Sequence, residues 1–152
     1  MALEWLKTNF AAAKKAVSDE VGKYKNAKFH EGIIAGCARM AYANGIVDPK
    51  EKQKMMGFIQ NSEVLSVFKI EDSIALWKKW AAKYDMDKDF ADMEALQVIS
   101  KNKDDSGAAR TLLRVVIMVA NSDGDFDKDE VKCAVEIARE LALDPAEFNL
   151  AA

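Results

Sequence analysis

Hydrophobic residues recur every three or four positions along most of this chain, which is the period of an amphipathic α-helix. The first such stretch covers residues 2 to about 20, with an apolar stripe of Leu3, Leu6, Phe10, Ala13 and Val17. Similar patterns predict further helices at about 29–43, 49–61, 71–83, 89–101, 107–120 and 131–141, and short helical turns near 62–68 and 145–150. Because no strand-like alternation of useful length appears, we predict an all-α, single-domain bundle of about seven to nine helices.

Polar residues mark where these helices begin and where the links lie. Asp48-Pro49 and Asp144-Pro145 each read as an N-cap followed by proline at the first helical position. A glutamate three residues after each aspartate, Glu51 or Glu147, predicts a capping box. We expect polar links at about 22–28 and 84–90.

Composition agrees with a soluble globular domain and narrows its class. The chain has 152 residues, half of them apolar, with seven glycines and two prolines, so long stretches lack helix breakers. A net charge of −3 argues against a general nucleic-acid binder. The longest apolar run, Leu112–Ala120, is far shorter than the ~20 residues of a spanning helix, and no signal peptide is visible, so we expect a cytoplasmic location. Cys37 and Cys133 lie in helical patterns without CxxC spacing, which predicts buried, reduced thiols.

The first 30 residues are basic although the whole chain is acidic, with six lysines against three acidic residues. Lys7, Lys14 and Lys15 lie off the apolar stripe of the first helix. They are interpreted either as a surface for anionic lipid or an acidic partner, or as lysines that simply face water on a helix docked to the core.

An acidic stretch at 121–130 is the strongest candidate for chemistry. It holds four aspartates and a glutamate within eight residues: Asp123, Asp125, Asp127, Asp129 and Glu130. Carboxylates at such short range either raise one another's pKa or recruit a cation. The stretch is not an EF-hand, because Ala134 stands where the closing glutamate belongs. An all-oxygen ligand set favours Ca²⁺, Mg²⁺ or Mn²⁺ over zinc.

The acidic stretch is also one copy of an internal repeat. A shift of 79 positions superposes residues 44–51 on 123–130, with the shared pattern Asx-Gly-x-apolar-Asp-x-x-Glu. In each copy the apolar residue, Val47 or Phe126, can fill the corner between two helices, and the following aspartate can cap the second helix. The repeat predicts two helix-loop-helix units, around 29–61 and 107–141, related by a pseudo-twofold axis that can bring the corners together.

Five segments resemble the TerB tellurite-resistance family: 21–26, 37–39, 51–55, 122–124 and 144–148. The resemblance covers nearly the whole chain and implies an all-α fold with an internal duplication. It further implies a bacterial cytoplasmic stress protein linked to tellurite, phage and colicin resistance. Family proteins are thought to bind metal through the Asp-Gly…Glu acids and to act with the membrane partner TerC, which would place the protein peripherally at the inner membrane.

Carried onto this chain, the resemblance assigns metal binding to Asp123 and Glu130 in the second copy, and to Asn44 and Glu51 in the first. Asn44 stands where the family has aspartate, so the first copy keeps an oxygen ligand but loses a charge. The candidate metal residues from repeat and resemblance together are Asp123, Asp125, Asp127, Glu130, Asn44 and Glu51. Asp85, Asp87 and Asp89 also alternate, but they lack the glycine and the trailing glutamate.

No catalytic constellation is evident, so we predict a non-enzymatic protein. The chain lacks a serine or cysteine with a partner histidine, a phosphate-binding Gly-rich loop, and an HExxH motif. The single histidine, His30, lies at the far end of its helix from Asn44, about 20 Å away at 1.5 Å per residue, and is not expected to be a ligand. The alternative function is that of a helical adaptor whose acidic face docks a basic protein without a specific metal.

Overall fold

The computed structural model describes residues 10–45, 47–121 and 126–150, and of residues 10–13 only the backbone. Within these ranges the chain is all-α and contains no strand, which confirms the predicted fold class. Seven α-helices follow in order: α1 (Phe10–Lys23), α2 (Ala27–Ala41), α3 (Pro49–Gln60), α4 (Ile70–Met86), α5 (Lys88–Ser100), α6 (Ser106–Ala120) and α7 (Lys128–Glu140). Two short 3₁₀ turns, η1 (Glu63–Leu65) and η2 (Pro145–Phe148), complete the described part.

Helix α2 is the central element, because it contacts α4, α5, α6 and α7. Its residues are buried on nearly every side from Phe29 to Met40. Small residues make this possible: a Cβ placed on Gly36 would lie 2.6 Å from Val116 Cγ2 of α6.

Aspartates begin most of the helices, as predicted. The side chains of Asp48, Asp87, Asp105 and Asp127 each accept a hydrogen bond from a backbone N–H in the first turn of α3, α5, α6 and α7. The predicted capping box at Asp48 forms only its first half, in which Asp48 accepts from the backbone N–H of Glu51 at 2.8 Å. A complete capping box forms instead at the equivalent Asp127.

Both predicted polar links are shorter than expected. Helix α1 runs to Lys23, and Asn26 already caps α2 by accepting from Phe29 N at 2.8 Å. The predicted link at 84–90 is wrong, since α4 continues to Met86 and only Asp87 separates it from α5. Tyr84 holds this segment helical, because its buried ring stacks on that of Tyr42 at 4.7 Å between centroids.

The two cysteines are buried free thiols, as predicted. Burial raises the pKa of each thiol, Cys37 and Cys133, to about 12. Both therefore stay protonated near neutral pH and are poor nucleophiles and metal ligands. The side chains of Trp77 and Trp80 are equally buried and belong to the core, as their helical spacing predicted.

The single histidine is a core residue that makes stability depend on pH. His30 Nε2 lies 2.7 Å from the hydroxyl of Ser73, and its ring stacks on Phe68 with centroids 3.9 Å apart. Burial holds the pKa of His30 below its ordinary value of 6.5, although the charge of Asp72 acts in the opposite direction. The fold therefore favours the neutral ring.

We expect the protein to lose stability as the pH falls below 6.5, because the unfolded chain then binds a proton at His30 that the folded chain resists. One group contributes at most about 1.4 kcal/mol per pH unit. Urea unfolding at several pH values between 5 and 8 measures this slope. A His30→Gln variant, which cannot titrate, should lack this part of the slope; an unchanged slope would show that carboxylates alone produce it.

Candidate functional site

The two corners of the internal repeat meet in space. Asn44 Nδ2 donates a hydrogen bond to Asp127 Oδ2 at 3.0 Å, although the two residues are 83 positions apart in the chain. Asn44 follows α2, and Asp127 caps α7. The contact joins the corners of the two helix-loop-helix units that the repeat predicts.

The described parts of the two corners are alike in their apolar residue and their helix cap. In the first, Gly45 adopts a φ of +117°, which an L side chain rarely tolerates, and the buried Val47 fills the corner before Asp48 caps α3. In the second, the half-buried Phe126 packs against the core at the position equivalent to Val47. The apolar residue of the repeat therefore has the packing role that the sequence predicted.

A concave pocket of about 290 Å³ lies where the corners meet. Its polar lining consists of Asn44, Glu51, Asp127 and Glu130, together with Lys54. Its apolar lining is contributed by Met40, Ala41, Val47, Met55, Phe58 and Ala120. Three carboxylates against one ammonium make the described lining of this pocket, which we call the corner pocket, negatively charged.

Two of the three carboxylates also hold the backbone. Asp127 Oδ1 accepts from the N–H of Glu130 at 2.9 Å, and Glu130 Oε1 accepts from the N–H of Asp127 at 3.1 Å. These bonds fix the two side chains in place at the start of α7. Both side chains also line the pocket, and because a carboxylate oxygen has more than one lone pair, these bonds alone do not use up their capacity to accept.

Four of the six predicted metal residues are thus brought together: Asn44, Glu51, Asp127 and Glu130. The other two, Asp123 and Asp125, lie outside the described residues. Within the described residues, no group of three or more histidines, cysteines, aspartates and glutamates is arranged to hold a metal ion. The four described side chains therefore do not form a complete metal site by themselves.

Two of the three lysines predicted as a partner or membrane surface lie among the described residues. Lys14 forms an ion pair with Glu63 of η1 at 3.2 Å. Lys15 is 79% exposed and pairs with Asp19 on its own helix, at 3.4 Å. Lys7 lies outside the described residues. Among the helices the structure describes, none has both the length and the apolar character needed to cross a bilayer.

The alternating aspartates at 85–89 serve separate structural roles. Asp85 accepts from the hydroxyl of Tyr42 at 3.0 Å and forms an ion pair with Lys52. Asp87 caps α5 by accepting from the N–H of Phe90.

Sequence reasoning missed a buried ion-pair network centred on Arg39. The guanidinium bonds Asp92 of α5 at 2.7 Å and also pairs with Glu136 of α7, while its side chain is only 9% exposed. Asp92 further accepts from the hydroxyl of Tyr84 at 2.7 Å and from Lys88 at 3.0 Å. The sequence could have indicated this network, because Arg39 is a charged residue within an apolar helix, at a position that the helical period places toward the core.

The network controls the charge of Asp92. Burial would raise the pKa of this carboxyl, but hydrogen bonds from Tyr84 and Lys88 and the charge of Arg39 hold it below its ordinary value. Asp92 therefore stays ionised and keeps Arg39 neutralised inside the bundle. Through Arg39, the network ties α2 to α5 and α7, which carry Asp92 and Glu136.

Comparisons with known proteins agree with the family suggested by the sequence. The profile of the family described as "Tellurite resistance protein TerB" matches residues 30–152. A protein of Alcaligenes sp named "Tellurium resistance protein TerB" is 38% identical over 112 residues, which cover 74% of this chain and 92% of that protein. No solved structure matches the chain. With this fold, the paired corners and these two matches, the chain belongs to the TerB tellurite-resistance family.

Proposed function

We propose that this protein binds a divalent cation, Ca²⁺, Mg²⁺ or Mn²⁺, at the corner pocket and serves tellurite resistance without catalysing a reaction. The observation that supports the proposal is the hydrogen bond between Asn44 and Asp127, because it brings oxygen-bearing side chains from both copies of the repeat to one pocket. Such oxygen donors suit hard cations rather than zinc.

The electrostatics of the surrounding helices support a cation at this place. Helices α2 and α6 end at Ala41 and Ala120, which both line the pocket, so the negative ends of two helix dipoles lie beside it. The positive ends of α3 and α7 are already compensated by their caps, Asp48 and Asp127. The helix dipoles and the carboxylate side chains therefore both attract a cation to the pocket.

We further propose that Asp123 and Asp125 supply the remaining ligands. They stand in the chain between Asn121 and Phe126, and thus between two residues that line the pocket, Ala120 and Asp127. On this proposal Asp127, Glu130 and Asn44 are prearranged by their hydrogen bonds, and the two aspartates complete the shell. Glu51 would add the contribution of the first copy.

Calorimetric titration of chelator-treated protein with Ca²⁺, Mg²⁺, Mn²⁺ and Zn²⁺ tests the proposal. We expect saturable binding of a hard cation that Asp127→Asn weakens at least about tenfold, a loss of about 1.4 kcal/mol. Asp87→Asn is the matched control, since Asp87 also caps a helix but lies outside the pocket. Asparagine caps as well as aspartate, so both variants keep the helix cap and lose one negative charge, and Asp127→Asn also loses the oxygen that accepts from Asn44.

A second pair of variants tests whether the first copy takes part. Glu51→Gln should weaken binding, whereas Glu71→Gln, an exposed glutamate in the first turn of α4, should not. Weak, salt-sensitive heats that are the same in all variants would overturn the metal proposal. That result would favour the alternative function, in which the acidic face docks a basic partner and holds no specific ion.

We also propose that the protein works in a membrane-associated complex with a membrane partner of the TerC type. This part rests on the family relationship and on the basic first 30 residues. Because Lys14 already pairs with Glu63, the exposed Lys15 and the preceding Lys7 are the residues we propose for contact with an acidic partner or lipid surface.

A further inference from the structure

An apolar surface remains exposed at the corner between α4 and α5. Met86 is 88% exposed, Phe90 55% and Met93 51%. Single exposed apolar residues are ordinary on soluble proteins, but these three large side chains lie within eight residues of one another. They form a surface that the chain itself does not cover in the part that the structure describes.

Helix α5 carries apolar residues on its outer face as well as on its inner one. Its inner face, packed on α2, includes the small Ala91 and Ala95 together with Ile99. Its outer face carries the bulky Phe90 and Met93, followed by the neutral Gln97. Because these positions are three and four residues apart, they form a single stripe that faces away from the core.

Charged residues of opposite sign lie at the two ends of α5, so its outer face has an acidic end and a basic end. Asp87 and Asp89 lie at its start, and Lys101 lies at its end, all exposed. Acids at the start and bases at the end already suit the helix dipole, so the charges alone indicate no ligand. These opposite charges, however, lie at the two ends of an apolar stripe. When α5 helices of two copies run antiparallel, the acidic end of each therefore meets the basic end of the other.

We propose that α5 pairs with α5 of a second copy of this chain, antiparallel about a twofold axis. The pairing brings Asp89 of each copy to Lys101 of the other, with Phe90 and Met93 between these charges. A uniformly anionic lipid surface or a uniformly basic protein would match only one end of the face. The inference is independent of the cation proposed above, because α5 contributes no residue to the corner pocket.

The proposed interface is small, so the dimer should be weak and reversible. Helix α5 has 13 residues, which gives a length of about 20 Å. One such helix pair buries less than the roughly 800 Å² per partner of a standard stable interface. Dimerisation should therefore depend on protein concentration.

Sedimentation equilibrium of the full chain in chelator measures this dimerisation over a concentration series up to about 1 mM. We expect Phe90→Glu to weaken the dimer at least about tenfold, because it replaces the largest apolar side chain of the paired face with a charge that the pairing would remove from water. Ile70→Glu is the matched control, since Ile70 is equally exposed, at 51%, but lies at the other end of α4. It should dimerise like the unmodified chain.

Charge reversal tests the antiparallel orientation. Asp89→Lys and Lys101→Asp should each weaken the dimer, and the double variant should restore it, because the pair then attracts again with reversed signs. A chain that stays monomeric throughout the series, or a dimer that Phe90→Glu leaves intact, would overturn the proposal. Charge reversals whose effects simply add would overturn it too, since Asp89 and Lys101 would then not meet.

Discussion

Replacing Arg39 with methionine should lower the free energy of unfolding by about 3 kcal/mol, at the lower end of what removal of one partner from a buried ion pair costs. The guanidinium is 9% exposed, whereas its partners Asp92 and Glu136 have side chains 21% and 41% exposed. Asp92 would keep Lys88 as a countercharge but would lose the buried guanidinium that it bonds at 2.7 Å. Glu136 can turn into water, which is why we expect the lower end of the range.

Urea unfolding followed by far-ultraviolet circular dichroism measures this loss. Arg110→Met is the matched control, because Arg110 makes a two-pronged bond to Glu147 but both side chains are well exposed. Exposed ion pairs contribute little to stability, so this variant should unfold close to the unmodified chain. Equal losses in the two variants would mean that the burial of Arg39 does not matter.

The Arg39 variant also bears on the candidate site. Arg39 lies on α2, which leads to Asn44, and its partner Glu136 lies on α7, which begins after Asp127. Loosening this tie should therefore loosen the contact between Asn44 and Asp127 and weaken cation binding as well as the fold.

Adding one methyl group at Gly36 should destabilise the protein by about 1–3 kcal/mol, the usual cost of overpacking a core. The new Cβ would lie 2.6 Å from Val116 Cγ2, closer than real contacts allow. Val116 is itself fully buried and branched, so it has little room to move. The clash should outweigh the gain of about 1 kcal/mol that alanine brings over glycine inside a helix.

Gly57→Ala is the matched comparison, because it should raise the free energy of unfolding, whereas Gly36→Ala should lower it. Gly57 lies within α3, and a Cβ there would meet nothing within 4 Å. Only the helix propensity changes, so this variant should gain about 0.5–1 kcal/mol. Thermal and urea unfolding of both variants test the pair; a stabilised Gly36→Ala would show that α2 and α6 can separate at little cost.

Much of the fold could be predicted because it rests on local chemistry. Helical periodicity located the helices, and the aspartates of the repeat marked where two of them begin, at Asp48 and Asp127. The repeat and the family could also be recognised from the sequence, since both depend on residue identity and spacing. The Asx-Gly pattern located the two corners and indicated which of their residues carry side-chain oxygens.

Tertiary structure alone decided which of these local parts meet. The contact between Asn44 and Asp127 joins residues 83 positions apart, and no local pattern determines such a distance. The expected link at 84–90 became helix because Tyr84 is buried against Tyr42, which outweighs the turn-like polarity of the surrounding residues. Arg39 likewise looked like an isolated charge until α5 and α7 supplied its carboxylates. Periodicity reports which face of a helix is apolar, whereas the partner of that face is chosen by packing across the whole bundle.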